Sequence, residues 1–154
     1  MLSGRAWPQL GGCPQALDVI GVNYYPGNQW EHGGTVLAPG DPRRRPLADL
    51  LCGVHARYGR PVVVSETGTE AAARVPWLEL VAAEVAEARR RGAPVWAICL
   101  YPILDHPGWD DDRYCPNGLL VWHPDDARRD VHPDVAAALR AAQRAAEIQE
   151  GITS

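Results

Sequence analysis

The stretch VVVSETG, residues 62–68, ends a run of β-branched residues with a single carboxylate, Glu66, shortly before a turn glycine. A strand that runs into a loop would hold this carboxylate on a rigid backbone, which is the placement that a nucleophile or a general base needs. The same residues are equally typical of a helix N-terminus, where Ser65 or Thr67 caps and the carboxylate favours the helix dipole. On these residues alone both interpretations stay open.

A second polar group ends the apolar run at residues 17–25. Asn23 and Tyr25 are two residues apart, so their side chains share one face of a strand. If that face lines a pocket, Tyr25 can donate a hydrogen bond to a carboxylate and Asn23 can bind a polar substrate. The alternative is that both side chains satisfy backbone groups at the end of the strand, which is about as common.

Several aromatic side chains could stack on sugar rings, although core packing is the commoner use of tryptophan. They are Trp30, Tyr101, Trp109 and Trp122. The acidic loop at residues 105–112 lacks the alternating ligands and the closing glutamate of a calcium loop, so we expect no metal ion there. His106 has no serine or cysteine nucleophile nearby in the sequence, which favours an ordinary loop histidine.

The elements that would position these side chains alternate along the chain. Apolar runs at residues 17–25, 61–66 and 94–102 predict strands, and helical patterns occupy residues 46–59, 77–92 and 132–150. This order predicts an α/β fold with parallel strands and right-handed crossovers, and the continuous apolar runs predict a sheet covered on both faces. Each run ends in polar and aromatic residues, so we expect a site at the carboxyl edge of the sheet.

Composition limits the classes of partner and compartment. The 154 residues, 46% hydrophobic, predict one globular domain, in which residues 1–16 form a loop or tail. The net charge of −4 and the offsetting runs at 43–45 and 110–112 argue against nucleic acid as a partner. We expect no membrane association, because the chain has no apolar run of about 20 residues. Four widely spaced cysteines without a zinc pattern predict reduced thiols and a cytoplasmic protein.

Three motifs resemble one known family. DVIGVNYYP (residues 18–26), VVVSETG and YPILDHPGW (residues 101–109) resemble, in order, the sixth-, seventh- and eighth-strand motifs of family 1 glycoside hydrolases. These are the β-glucosidase-like (β/α)8 TIM barrels of clan A. The resemblance covers residues 18–122 and implies a partial (β/α)8 barrel, equivalent to strands 6 to 8 with their helices.

The resemblance also assigns roles to single residues. It implies that Glu66 is the catalytic nucleophile and that Tyr25 positions it by a hydrogen bond. It implies substrate contacts at Asn23, Tyr101, Asp105 and Trp109, with no cofactor and no metal ion. Tyr101 stands where the family usually has tryptophan, and Gly108 stands where it has a sugar-binding glutamate, so the resemblance does not identify the sugar.

A retaining glycosidase needs two carboxyl groups, and the family's acid/base lies in an Asn-Glu pair that this sequence lacks. The resemblance therefore implies a β-glycosidase fragment or half-barrel that carries the nucleophile and is inactive by itself. Its open strand edges predict a complementary barrel half or self-association. One alternative is a catalytically inert α/β module that binds saccharide or a partner subunit. A metal-dependent hydrolase built on the loop at 110–112 is a third and weaker interpretation.

Overall fold

The computed structural model describes residues 1–38, 40–123 and 125–152 of the chain. Its centre is one sheet of three strands, which are, in spatial order, β1 (Ile20–Asn23), β2 (Val62–Thr67) and β3 (Val95–Leu100), and both strand pairs are parallel. The predicted parallel strands are thereby confirmed, although the first and third are shorter than their apolar runs and the second begins and ends one residue later than its run.

Three helices accompany the sheet: α1 (Leu47–Tyr58), α2 (Arg74–Arg90) and α3 (Pro133–Ile152). The second begins three residues before its predicted start at residue 77. Pro76 is then the third helical residue, where the missing N–H has no partner to lose because the first four N–H groups of a helix are unpaired. Gly59 ends α1 in a left-handed conformation with φ of 63°, and its N–H donates to the His55 carbonyl oxygen.

The core lies on one face of the sheet. Val62 and Val64 of the central strand are fully buried there against Leu51 of α1 and against Val81 and Val85 of α2. Both helices reach the same face because each belongs to a crossover between parallel strands, and such crossovers share one hand. Alternate apolar residues of β2 therefore build the core.

The prediction that both faces of the sheet are covered was wrong. Gly21 and Asn23 of β1 and Ala97 and Cys99 of β3 are exposed, and they lie on the face opposite the helices. Among the described residues no element packs over this face. The apolar runs thus indicated strands correctly but overstated their burial, since the described chain supplies helices to one side of the sheet.

The segment after β3, predicted as a loop, forms two short antiparallel hairpins. Strand β4 (His106–Pro107) pairs with β5 (Tyr114–Cys115), and β6 (Leu120–Trp122) pairs with β7 (Arg129–Val131). Strands of two or three residues are too short to show a hydrophobic period, so sequence patterns do not reveal them.

Residues 1–16 contain two 3₁₀ turns, at Pro8–Leu10 and Pro14–Ala16. The Arg60 guanidinium ties this segment to the sheet by donating to the Leu17 carbonyl at 2.5 Å and the Pro14 carbonyl at 3.0 Å. That these residues are a separable tail stays a prediction. None of the described helices has the length and apolar character that a membrane span requires.

An aromatic cluster joins the ends of β1 and β2 to α2. Tyr24 stacks on Trp77 with ring centroids 5.5 Å apart, and the Trp77 Nε1–H donates to Thr67 Oγ1 at 2.9 Å. Thr67 is fully buried, so this bond satisfies a hydroxyl that water cannot reach. The cluster fixes the backbone of both strands one residue away from Tyr25 and Glu66.

Trp77→Phe should therefore destabilise the fold. The substitution leaves the Thr67 hydroxyl buried without its donor, which should lower the free energy of unfolding by about 1–3 kcal/mol. Urea denaturation followed by circular dichroism would measure the loss. The matched control is Trp96→Phe, because Trp96 is 59% exposed. Equal effects of the two substitutions would contradict the role of the cluster.

Candidate functional site

A β-bulge in β2 decides where Glu66 points. Val22 pairs with Val64 and Asn23 pairs with Glu66, so β2 has one extra residue opposite β1. The pairing of β2 with β3 shows the same extra residue, because two residues of β2 lie between Val64 and Thr67 while one residue of β3 lies between their partners, Ile98 and Leu100. By simple alternation Glu66 would lie on the core face with Val62 and Val64. The bulge turns it off that face and places Thr67 there instead.

Glu66 is held by the strand and by Tyr25. The Tyr24 N–H donates to the Glu66 carbonyl oxygen at 2.9 Å, which brings the next residue, Tyr25, alongside the carboxylate. The Tyr25 Oη–H then donates to Glu66 Oε2, also at 2.9 Å. Burial and the neighbouring Glu66 carboxylate raise the pKa of Tyr25 well above its ordinary value, so it remains a donor at neutral pH. No described group donates to Glu66 Oε1, which suits an attacking oxygen.

These two residues line a cleft of about 690 Å³ at the carboxyl edge of the sheet. Its walls come from the loops after β1, β2 and β3 and from the first hairpin, and the side chains used below are Tyr25, Glu66, Glu70, Tyr101, His106 and Trp109. The edge predicted from the polar strand ends is the edge where the cleft forms.

Two glycines allow the close approach of these loops. The Tyr101 N–H donates to the Thr67 carbonyl at 2.8 Å, and a Cβ on Gly68 would overlap the Tyr101 carbonyl oxygen. A Cβ on Gly118 would likewise overlap the backbone between Leu104 and Asp105. Any side chain at either position would push the cleft wall away from Glu66.

An ion pair links two walls of the cleft. The Arg113 Nη1 and Nη2 atoms donate to Glu70 Oε2 and Oε1 at 2.7 and 2.9 Å. The hydrogen bonds from Arg113 lower the pKa of Glu70, and the same contact raises the pKa of Arg113. Both groups therefore stay charged at neutral pH, and the first hairpin is held against the β2–α2 loop.

His106 belongs to the cleft, where sequence reasoning expected an ordinary loop histidine. Its Nδ1 lies 2.6 Å from the Pro107 carbonyl oxygen, so this nitrogen carries the proton and donates. Its Nε2 then accepts from Asn117 Nδ2 at 3.1 Å. The Trp109 ring lies edge-on to the imidazole with centroids 6.1 Å apart and is itself 85% exposed. A ligand in the cleft would meet an open indole face.

Four of the six residues singled out from the sequence come together in this cleft: Tyr25, Glu66, Tyr101 and Trp109. Asn23 does not line it, because its Oδ1 accepts from the Ser65 hydroxyl at 2.8 Å on the open face of the sheet. Which of these residues touch a substrate stays a prediction.

Asp105 is placed differently from the expected substrate contact. It is 3% exposed, its Oδ1 accepts the Gly118 N–H at 2.6 Å, and its Oδ2 accepts the Tyr114 hydroxyl. Burial, with the hydrogen bond to Asp105, raises the pKa of Tyr114 to about 12. Both carboxylate oxygens therefore serve the base of the hairpin, and the substrate contact predicted at Asp105 does not fit this position.

The described residues contain no group of three or more histidine, cysteine or acidic side chains that could hold a metal ion. Asp111 of the acidic loop instead accepts the Arg113 backbone N–H at 3.2 Å.

Sequence reasoning missed the residues that hold the walls of the cleft together. Glu70 could have been found, because it follows the same strand within SETGTE. The partners Arg113 and Asn117 carry no sequence signal, since each reaches the cleft through a hairpin whose strands are too short to predict.

The comparisons with known proteins bear on the fold. No family model and no curated protein matches the sequence. Solved structures of β-glucosidases do match. The β-glycosidase of Thermosphaera aggregans is 21% identical in sequence, with a TM-score of 0.63. The match covers 83% of this chain and 32% of the Thermosphaera chain. The family 1 β-glucosidase of Thermotoga maritima is 16% identical, with a TM-score of 0.66. The match covers 82% of this chain and 34% of the Thermotoga chain.

A third structure, the hyperthermophilic β-glucosidase of Pyrococcus furiosus, is 21% identical with a TM-score of 0.64 and covers 84% of this chain and 33% of its own. The resemblance to family 1 β-glucosidases is thus confirmed at the level of the fold. The chain spans about a third of the length of the structures that it matches.

The Tyr25–Glu66 hydrogen bond can be tested by titration. With ¹³C-labelled tyrosine, the Tyr25 Cζ resonance should not shift as the pH passes about 10, where an unperturbed tyrosine ionises. Burial and the carboxylate both disfavour the phenolate, so Glu66→Gln should lower the pKa of Tyr25 but leave it above the ordinary value. Assignment would use Tyr25→Phe. Ionisation of Tyr25 near pH 10 in the wild type would contradict the bond.

Proposed function

We propose that Glu66 is the nucleophile of a retaining β-glycosidase site, of which this chain supplies one part. The observation that carries the proposal is the 2.9 Å hydrogen bond from the Tyr25 hydroxyl to Glu66 Oε2 in the wall of the cleft. A carboxylate that is held through one oxygen presents the other in a defined direction, which a nucleophile requires.

In the proposed reaction a β-glycoside lies in the cleft with its hydroxyl groups toward the polar walls and its ring near Trp109. Glu66 Oε1 attacks the anomeric carbon, the bond to the leaving oxygen breaks, and a glycosyl ester forms on Glu66. Water then cleaves the ester and restores the carboxylate. Tyr25 holds Oε2 throughout and keeps the attacking oxygen aligned.

The proton for the leaving group must come from elsewhere. Glu70 is the nearest candidate in sequence, but Arg113 holds both of its oxygens and lowers its pKa, so it is a poor proton donor. The sequence has no Asn-Glu pair of the kind that supplies the acid in the family it resembles. General acid catalysis is typically worth about 10²–10⁴ in rate. We therefore expect the 154-residue chain alone not to hydrolyse an unactivated β-glycoside.

We propose further that the three parallel strands correspond to strands 6 to 8 of a (β/α)8 barrel. The likeness to β-glucosidase structures over about a third of their length supports this assignment. A full barrel takes about 250 residues, so a complementary part or a second copy would complete the wall around Glu66. The four cysteines are unpaired, which fits the proposed cytoplasmic location.

Covalent labelling tests the role of Glu66. An activated aryl 2-deoxy-2-fluoro-β-glycoside has a leaving group that needs no acid, and its fluorine slows hydrolysis of the ester, so the label should accumulate on the peptide that carries Glu66. Glu66→Gln should abolish labelling. Tyr25→Phe should slow it about 10- to 100-fold, since a hydrogen bond to a charged group contributes about 1.5–3 kcal/mol. Mass spectrometry of the digested chain would measure all three.

Glu79→Gln is the matched control, because it removes an exposed carboxylate from α2 outside the cleft. A label on Asp111, or no label on Glu66, would contradict the proposed role. Saccharide binding that is lost in Trp109→Ala while Glu66 takes up no label would favour the inert binding module instead, since the exposed Trp109 would then be the functional group.

The open edges of the sheet predict association. Both β1 and β3 are edge strands, and beside β3 a groove of about 580 Å³ exposes Trp96. Unpaired parallel edges next to apolar surface favour pairing with another chain. In the absence of a complementary chain we therefore expect self-association.

Sedimentation equilibrium should give a concentration-dependent mass above the 16.8 kDa of one chain. Trp96→Lys should lower the association constant, because it places a charge on the exposed edge. Tyr58→Lys, at an exposed position on α1, is the control and should have little effect. A single species at the mass of one chain over the whole concentration range would contradict the proposed association.

A further inference from the structure

The charge of the cleft is strongly one-sided. Four carboxylates line it and one guanidinium opposes them, which gives a formal charge of −3 with His106 neutral. The carboxylates are Glu66, Glu70, Asp110 and Asp111, and the guanidinium is that of Arg113. A concave surface lined by one sign of charge concentrates ligands of the opposite sign and repels ligands of the same sign.

The single cation is not available to a ligand. Both terminal nitrogens of Arg113 donate to the two oxygens of Glu70, a fork geometry that satisfies the charged ends of both side chains. An anionic group that approached Arg113 would also approach the Glu70 carboxylate. The guanidinium therefore offers no net positive site, although its charge alone would suit a phosphate or a carboxylate.

Three further donors of the cleft are also engaged. The Tyr25 hydroxyl donates to Glu66, the His106 Nδ1 to the Pro107 carbonyl and the Asn117 amide to His106. Carboxylate oxygens remain as acceptors. A ligand that matches this inventory brings donors of its own, as hydroxyl and ammonium groups do.

We infer that the Glu70–Arg113 ion pair determines specificity, so that the cleft accepts neutral or ammonium-bearing glycosides and rejects glycosides that carry a carboxylate or a phosphate. The substrate class rests on the proposed function of Glu66. Glu70 is the specificity-determining residue, because its carboxylate pairs with the one guanidinium that could bind an anion. With Arg113 neutralised in this way, the other carboxylates leave the cleft with a net negative charge.

The local potential can be measured without any sugar. A cysteine introduced by Tyr101→Cys, at the end of β3, would react with a cationic trimethylammonioethyl and an anionic sulfonatoethyl methanethiosulfonate. Exposed Cys13 in the same molecule is the internal reference. The ratio of the rate of modification by the cationic reagent to the rate by the anionic reagent should be about tenfold higher at position 101 than at Cys13. This is the effect expected when one or two net negative charges lie about 6 Å from the reacting thiol.

Adding Glu70→Gln to this variant should lower the ratio severalfold, because it removes a charge and releases Arg113. Glu87→Gln is the matched control, since it removes the carboxylate partner of Arg90 on α2 outside the cleft. A ratio within twofold of that at Cys13, or equal effects of the two substitutions, would overturn the inference.

The substrate class is tested with two reagents that differ in one group. The activated 2-fluoro glucoside should label Glu66 at least tenfold faster than the corresponding glucuronide, and Glu70→Gln should narrow this difference. Equal labelling by both reagents in the wild type would overturn the inference. If neither reagent labels Glu66 while the charge preference at position 101 holds, the proposed nucleophile is wrong, and the substrate class is wrong with it. If Glu66 is labelled but position 101 shows no charge preference, the inference alone is refuted.

Discussion

The site depends on one extra residue in the central strand. Between Val64 and Thr67 the strand β2 advances by one residue more than either neighbour, and this bulge moves Glu66 off the face that α1 and α2 cover. Without it the carboxylate would lie on the core face with Val62 and Val64, where an unpaired charge is strongly destabilising. The buried Thr67 takes that position instead, and its hydroxyl is satisfied by Trp77.

The rest of the cleft follows from how closely the loops approach this strand end. Gly68 lets the chain after β3 pass within contact of the loop after β2, and Asp105 closes the base of the first hairpin through Tyr114 and Gly118. The hairpin then carries Arg113 to Glu70. A buried, fully hydrogen-bonded carboxylate is a stable anchor, because removing either partner would leave a charge or a donor without compensation. The wall of the cleft is therefore rigid at its base and open at Trp109.

The sheet is complete on one side alone. Helices α1 and α2 bury one face of the sheet. The opposite face, which includes Asn23 and Cys99, and both strand edges have no cover among the described residues. The described chain thus lacks both the proposed acid/base and a cover for its open face and strand edges. One partner could thus supply both the missing wall and the missing proton donor, which links the association of the chain to its proposed chemistry.

The sequence by itself determined the order of the elements, the parallel sheet and the edge at which polar residues collect, because hydrophobic runs and their punctuation are local properties of the chain. It also brought Glu66 and Tyr25 forward as a pair, through the motifs that carry the family resemblance. Only the tertiary structure decided which way Glu66 points, that Asp105 is a buried anchor, and that Glu70 holds Arg113. A bulge depends on the register of two neighbouring strands, and an ion pair between residues 70 and 113 depends on how two loops fold together. Neither is encoded in a local pattern, so neither could be predicted from it.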